Sequence, residues 1–351
     1  MLAQKIINWY LENGRKLPWR ETNDPYRIWL SEIILQQTRI DQGLKYYLRF
    51  VEEYPTVSDL AKAPTEQVLK SWQGLGYYSR ARNLHTTAQH IANNLGGEFP
   101  KTYNGLLALK GIGRYTAAAI ASFAYRLPHP VIDGNVYRFI SRLYGINTPI
   151  GTTAAYRQFE DLLSQAIDTA RPDLFNQAIM DFGSIYCKPS GSLCDACIFR
   201  QECVARSQGT VAALPVKATH TKVTERYFYY LDTRWSIPSE TLLTHERGQG
   251  DIWQGLFELP LLETDHPIPA DQLLSTISQT AIRWFGEKPI SIAAGPAYKH
   301  QLTHRTIFAQ FIHIKYLCQP PKTPQYLVPT SLSNLKSLPI SRLIDRYLTE
   351  M

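Results

Sequence analysis

Up to about residue 205, apolar residues recur at spacings of three and four, interrupted by glycine and proline. This predicts amphipathic helices at 3–13, 25–37, 41–52, 65–72, 79–95, 103–109, 114–124, 135–143, 153–168 and 172–184. The pattern then changes. Residues 206–225 hold few large apolar side chains and include Gly209 and Pro215, as a linker would. Beyond them, 226–232, 240–245 and 305–317 are rich in aromatic and β-branched residues and predict strands, while 271–285 and 333–349 return to helical spacing. The expected architecture is a mainly α domain at 1–205 and an α+β domain at 226–351.

Composition narrows the class. A chain of 351 residues exceeds one ordinary core, and 44% apolar with 19% charged residues excludes a disordered or fibrous protein. A formal charge of +7 permits a polyanionic partner without naming one. The first residues are amphipathic with no secretion signal, and no apolar run reaches 18 residues, so the expectation is no membrane span and a cytoplasmic, nucleoid-associated location. Thiols stay reduced there, so the five cysteines are weighed as metal ligands or buried thiols before disulfides.

Four of them, Cys187, Cys194, Cys197 and Cys203, fall within 17 residues as C-x6-C-x2-C-x5-C. Zinc sites usually pair two C-x2-C knuckles across a longer arm, whereas iron-sulfur clusters take four cysteines at tight, uneven spacing, so the spacing favours a cluster over zinc. Lys188, Arg200 and Arg206 flank the loop, either to meet phosphate or simply to solvate it. Cys318 stands alone in the second domain and is expected to be a buried structural thiol.

Residues 103–120 read as a helix, a Leu-Lys-Gly-Ile-Gly turn and an alanine-rich helix. Without Cβ atoms at Gly111 and Gly113, the backbone N–H groups of the turn and of the next helix can approach a phosphate oxygen; the alternative is an ordinary helix C-cap. Glu32 lies in an otherwise apolar helix, where burial would raise its pKa and let it deliver a proton, unless it pairs with Arg27 or Arg39. Asp133 starts another helix, as either an N-cap or a catalytic anion. Removing a base from deoxyribose needs such a pair, an acid for the leaving group and an anion for the sugar cation. It also needs the nucleotide extruded and the gap filled, for which Gln36, Gln37, Tyr77 and Tyr78 are candidates, with core packing as the alternative for the tyrosines.

Ser31-Glu32-Ile-Ile-Leu-Gln-Gln-Thr38, Trp72-Gln-Gly-Leu-Gly-Tyr-Tyr-Ser-Arg-Ala-Arg-Asn83, Leu109-Lys-Gly-Ile-Gly-Arg-Tyr-Thr-Ala-Ala118, Val131-Ile-Asp-Gly-Asn-Val136 and the cysteine loop together resemble the MutY-type adenine DNA glycosylases of the helix-hairpin-helix superfamily. The resemblance implies a six-helix lobe at about 22–131, a cluster lobe from about 1–21 plus 132–205, a [4Fe-4S] cluster on the four cysteines, and a monomer that removes adenine opposite 8-oxoguanine from a duplex containing the mispair. It implies Glu32 as the acid, Asp133 as the carboxylate that stabilises or captures the sugar cation, and Asn135 as its neighbour. Tyr115 occupies the position where endonuclease III-like enzymes carry a Schiff-base lysine, which implies a monofunctional enzyme. Trp19, Arg20 and Asp181 resemble pocket residues near the adenine. Trp253-Gln-Gly-Leu-Phe-Glu-Leu-Pro260 and the strand around His300 resemble a Nudix-like recognition domain, without the glutamate-rich box that pyrophosphate hydrolysis requires. Leu302-Thr303-His304 stands where the family often has Phe-Ser-His against the oxidised guanine, so Thr303 and His304 are the expected contacts. A thymine or uracil mismatch glycosylase of the same superfamily and a non-catalytic cluster-bearing DNA-binding module are the competing readings.

Overall fold

The computed structural model describes residues 2–218, 223–237 and 241–351, with backbone alone at 236 and 237. The chain forms two compact units, Met1–Lys62 with Asn83–His220, and Ala63–Arg82 with Thr221–Met351. Along the chain the first helices are α1 (Leu2–Asn13), α2 (Pro25–Leu35), α3 (Ile40–Glu53), α4 (Val57–Lys62), α5 (Thr65–Ser71) and α6 (Ser79–Asn94). They are followed by α7 (Tyr103–Leu107), α8 (Arg114–Tyr125), α9 (Gly134–Tyr144), α10 (Thr153–Ala166), α11 (Pro172–Ile185) and α12 (Val204–Ser207), and a 3-10 turn occupies Pro18–Arg20. No helix among the described residues is long and apolar enough to cross a membrane.

In the first unit α2 is capped by Asp24, whose carboxylate accepts the Tyr26 N–H at 2.9 Å, with Pro25 preset for the first turn. Its residues from Ile28 to Ile34 are all buried, so α2 is an interior helix, and Glu32 is carried inside with it. Thr116 to Ser122 of α8 are likewise buried, and all but Ile120 are small side chains suited to close helix packing. Around them Phe139, Phe159, Phe175, Phe182 and Phe199 fill the core shared by α9, α10, α11 and the cysteine loop.

The second unit is built on β1 (Thr224–Ile237), β2 (Thr241–Glu246), β3 (Phe257–Glu258), β4 (Leu261–Thr264), β5 (Ser291–Gln301), β6 (Arg305–Cys318) and β7 (Val328–Thr330), with α13 (Ala270–Phe285), α14 (Leu332–Ser337) and α15 (Arg342–Glu350). The sheet runs β3-β2-β1-β6-β5, with β4 beside β1 and β7 beside β2; β1 and β6 are parallel, in register from Thr224↔Arg305. Phe228 and Tyr230 face one core with Leu343, Ile344 and Tyr347 of α15, while Tyr229 and Leu231 face another with Leu273, Ile277 and Phe285 of α13. Burial on both faces explains why β1 reads as a continuous aromatic run instead of an alternating one. The α+β class is as expected.

Several details differ from the sequence pattern. The expected helix 25–37 stops at Leu35, because Gln37 takes a left-handed φ of 55°. The expected helix 333–349 is two helices, broken where Leu338 turns extended before Pro339. Residues 206–217 of the expected linker are held to the first unit by α12 and by pairing of Ile150 with Val216 and Lys217, while residues 219–222 lie outside the described residues, as does Glu240 of the expected strand 240–245. Cys318, expected buried, is exposed at the last position of β6. Residues 63–82, read as part of the helical lobe, belong to the second unit: the Lys70 ammonium donates to the Lys336 and Leu338 carbonyls, and Tyr78 OH donates to Ile340 O.

Candidate active site

A cleft of about 710 Å³ opens in the first unit, within the size range of small-molecule sites. The second half of α2, the turn after it, the 3-10 turn, and the starts of α8 and α9 bring Glu32, Gln37, Trp19, Arg20, Tyr115, Asp133 and Asn135 to its wall, and α11 adds Gln177 and Met180. The two carboxylates therefore face one space. Glu32 forms no salt bridge among the described residues, so the alternative of pairing with Arg27 or Arg39 does not hold; Arg27 pairs with Asp24 at 3.8 Å. Burial raises the Glu32 pKa, the Tyr115 hydroxyl lowers it, the Asp133 charge raises it and Arg20 lowers it, leaving it pushed up to about 7. At neutral pH a large fraction of Glu32 carries a proton.

Asp133 is both the cap and a member of the cleft. Its Oδ1 accepts the Asn135 and Val136 backbone N–H groups at 2.8 and 2.7 Å, and its Oδ2 accepts Asn135 Nδ2 at 2.7 Å. Burial lifts its pKa, opposed by these donors and by Arg138. Asn135 in turn is held through Oδ1 by Arg138 Nη2 at 2.9 Å, and Arg138 Nε donates to Cys187 O at 2.7 Å. Gly183 lets this region close up, since a Cβ there would stand 2.6 Å from Asn135 O. The four cysteines line a single cavity with Phe139, Arg142 and Phe199. Arg142 Nη1 donates to Cys187 Sγ at 3.5 Å, Lys188 O at 2.7 Å and Ser192 Oγ at 2.8 Å, and its Nε donates to Leu214 O at 3.0 Å. The Phe199 N–H approaches Cys197 Sγ at 3.4 Å. Four free thiols around one cavity, with N–H donors aimed at the sulfurs, suit a group that needs anionic sulfur ligands. Among the described residues no three metal-ligating side chains close on a single ion.

Residues 30–165 match the HhH-GPD superfamily base excision DNA repair proteins. The chain is 32% identical over 319 residues to the adenine DNA glycosylase of Buchnera aphidicola subsp. Baizongia pistaciae, covering 89% of this chain and 85% of that protein. It belongs to the adenine DNA glycosylase family. The rat adenine DNA glycosylase is 41% identical over 224 residues, covering 60% of this chain and 43% of that longer protein. Among solved structures, a thermostable thymine-DNA glycosylase superposes with a TM-score of 0.55 at 28% identity, covering 59% of this chain and 95% of the other. An endonuclease III trapped on DNA superposes at 0.52 with 21% identity over similar shares, which shows the common fold. The chain is thus a DNA glycosylase of base excision repair.

In this member of the family the remaining expected residues are distributed as follows. Trp19 is buried against the Tyr47 ring edge, and Gln36 Nε2 donates to Thr116 Oγ1 at 3.3 Å. Gly111 has φ +77°, and a Cβ there would lie 2.7 Å from Asn83 Cβ; Gly113 caps α8 with its surface open. Asp181 does not line the cleft, contrary to expectation. It is fully buried, with Oδ1 accepting Arg15 Nε at 2.9 Å and Arg20 Nη2 at 2.8 Å, and Oδ2 accepting Arg15 N at 3.0 Å and Arg20 Nη1 at 2.7 Å. Burial alone would raise its pKa, but the two arginines hold it below the usual carboxylate range. With its lone pairs occupied, Asp181 orients Arg20 instead of meeting a base.

In the second unit Tyr77 is exposed with φ +48°, and its hydroxyl hydrogen-bonds Thr303 Oγ1. Tyr78 is buried core, so of the two tyrosines the core alternative holds for that one. Thr303 and His304 are exposed in the tight turn between β5 and β6, closed by Leu302 N–H to Arg305 O at 2.8 Å. In the cysteine loop, Arg200 and Arg206 both turn to Asp195, through its carbonyl at 3.4 Å and its carboxylate at 3.3 Å, and Lys188 is exposed. Sequence reasoning missed Arg15, Arg138 and Arg142. The two arginines of α9 are 9% and 3% exposed, yet a helix with charges at such positions reads as amphipathic and solvated; only the neighbouring cysteine loop hinted that something buried needed donors.

Proposed function

We propose that the chain hydrolyses the N-glycosidic bond of adenine mispaired with 8-oxoguanine or guanine in double-stranded DNA, acting as a monomer and leaving an abasic site. The observation that carries this reading is the pair of unequal carboxylates on one cleft. Glu32 keeps a proton near neutrality and gives it to the departing purine; Asp133, held by three donors, stays available as the anion beside the sugar as positive charge grows there. Asn135 orients Asp133. Tyr115, whose hydroxyl lowers the Glu32 pKa, stands where a lysine would form a Schiff base, so strand cleavage through that position is not part of the chemistry. Trp19 and Arg20 border the base. Gly111 and Gly113 open the hairpin backbone to a phosphate, and Gln37, in the left-handed region at the cleft, fills the space left by the extruded nucleotide; Tyr77, exposed in the second unit, is a further DNA contact. Thr303 and His304 read the opposite base on the Nudix-like domain.

Cys187, Cys194, Cys197 and Cys203 would hold a [4Fe-4S] cluster, which when bound ties four thiolates of the loop into one covalent staple. Such a substrate places the work of the enzyme at chromosomal DNA, cytoplasmic and nucleoid-associated. A base-release panel tests the reading. Adenine opposite 8-oxoguanine should be released fastest, adenine opposite guanine next, with breaks appearing only after alkali; preferential release of thymine opposite guanine would replace this reading with a thymine mismatch glycosylase.

A further inference from the structure

We propose that Arg305 is a positioning residue for recognition of the opposite base: its ion pair with Asp251 fixes the β5–β6 turn so that Thr303 and His304 meet the oxidised edge of the guanine. The proposal rests on those two residues reading that base. The oxidised base differs from guanine only by an added carbonyl and a proton on its five-membered ring, so telling the two apart takes polar groups held at defined positions. The turn supplies little of that rigidity itself: Thr303 and His304 are exposed, and Leu302 N–H to Arg305 O is the backbone bond that closes it. Its supports come from outside. From β1, the Thr224 N–H and hydroxyl donate to His304 O at 3.1 and 3.3 Å. From residues 63–82, the Tyr77 hydroxyl bonds Thr303 Oγ1. From the loop after β2, Asp251 Oδ1 accepts Arg305 Nη1 at 2.8 Å. Asp251 is a fixed anchor. Its loop is closed by Gly255 N–H to Arg247 O at 2.8 Å and by Arg247 Nε to Ile252 O at 2.8 Å. The same carboxylate takes Arg226 through both Nη atoms, at 2.7 and 2.6 Å, and Arg247 Nη2 at 2.6 Å. Arg226 is also paired with Glu263, and Arg247 with Glu258, whereas Arg305 has no second carboxylate among the described residues. With two guanidiniums already on it, Asp251 does not need Arg305 for charge balance, but Arg305 needs Asp251 for its place. The third pair is therefore explained by where it holds the chain, next to His304.

The test is single-turnover adenine release by the holoenzyme at increasing enzyme concentration, on adenine:8-oxoguanine and adenine:guanine duplexes. The half-saturating concentration reports recognition, and the plateau rate reports chemistry. Arg305→Gln leaves Asp251 with Arg226 and Arg247, so the fold should hold, with an unchanged urea midpoint. Without the pair the turn spends only a fraction of its time in the reading arrangement, and affinity falls by that fraction. Half-saturation on adenine:8-oxoguanine should rise by about three- to tenfold, while the adenine:guanine value and both plateaus stay put. Only Nη1 of Arg305 meets Asp251, so a lysine ammonium can replace it, and Arg305→Lys should restore most of the preference. Equal weakening on both duplexes, with a flatter salt dependence, would make Arg305 a phosphate contact and overturn the proposal. So would a preference unchanged in Arg305→Gln but lost in the double variant Thr303→Ala, His304→Ala, an outcome that leaves the turn as the reader. A preference that survives the double variant overturns that reading and the proposal with it.

Discussion

Replacing Glu32 by glutamine should cost the enzyme its activity and make it more stable, by an amount that depends on pH. The fold holds the Glu32 pKa at about 7 against an ordinary 4.5, with burial as the main cause. A raised pKa means that the protonated carboxyl is accommodated in full below about pH 4.5, and that stability is lost as pH rises through 7, where the unfolded chain is already ionised and the folded one is being forced to follow. A gap of about 2.5 pH units corresponds to about 3 kcal/mol once the loss is complete, of which roughly 2.5 kcal/mol develops between pH 5 and pH 8. Glutamine has nearly the same shape and never ionises, so the difference between variant and parent isolates this one group from every other titration. Urea unfolding of both proteins at pH 5 and pH 8, followed by the fluorescence of Trp19 and Trp29 in the first unit, measures it. Single-turnover release should fall by about 10²- to 10⁴-fold, the usual contribution of a positioned acid. Parallel loss of stability in the two proteins from pH 5 to pH 8 would mean that Glu32 is ionised throughout, and the acid role would be refuted whatever the activity shows.

Asp133→Asn should keep the helix cap, since asparagine caps as well as aspartate, so unfolding changes by less than about 1 kcal/mol while release falls by at least about 100-fold; a stability loss that matches the activity loss would make Asp133 a cap alone. Asp181→Asn leaves two guanidiniums facing a neutral amide in a buried setting and should destabilise the first unit by about 3 kcal/mol, with a raised KM as Arg20 loses its orientation. An unchanged urea midpoint would count against that assignment. Gly111→Ala combines a positive φ with a Cβ 2.7 Å from Asn83 and should weaken duplex binding by about tenfold or more with a flatter salt dependence, read by fluorescence anisotropy at several salt concentrations; undisturbed binding would remove the hairpin from the DNA contact.

What was legible in the sequence was what local periodicity and motif chemistry encode. The long helices lie close to where spacing placed them, because each buries one face on its neighbours, and Glu32 stood out as a carboxylate in an apolar run. The turn at Gln37 was not legible: nothing in Leu-Gln-Gln-Thr marks a left-handed residue, and the helical pattern runs straight through it. Strand β5 was missed as a pattern because most of Ser291–Gln301 is exposed, so no buried face imposes alternation. The assignment of 63–82 to the sheet unit depends on contacts such as Lys70 with residues 336 and 338, which no local signal reports. Asp181 was read as a contact, whereas it is turned to Arg15 and Arg20, because sequence shows the carboxylate but not the two arginines that occupy it.

Glu32 and Asp133 start from similar chemistry and are pushed up by the same burial, so their different roles must come from their partners. Asp133 begins from the lower ordinary value and receives two backbone N–H groups and an amide, all favouring the anion. Glu32 has only the Tyr115 hydroxyl and the Arg20 charge to favour its anion, and it feels the Asp133 charge across the cleft. The anion therefore helps to keep the acid protonated. It follows that Asp133→Asn removes more than a counter-charge: by withdrawing its field it lets Glu32 ionise more easily, so the high-pH limb of whatever activity remains should move downward. Two residues that set each other's protonation state act as one unit, and the losses from changing them singly should sum to more than the loss from changing both.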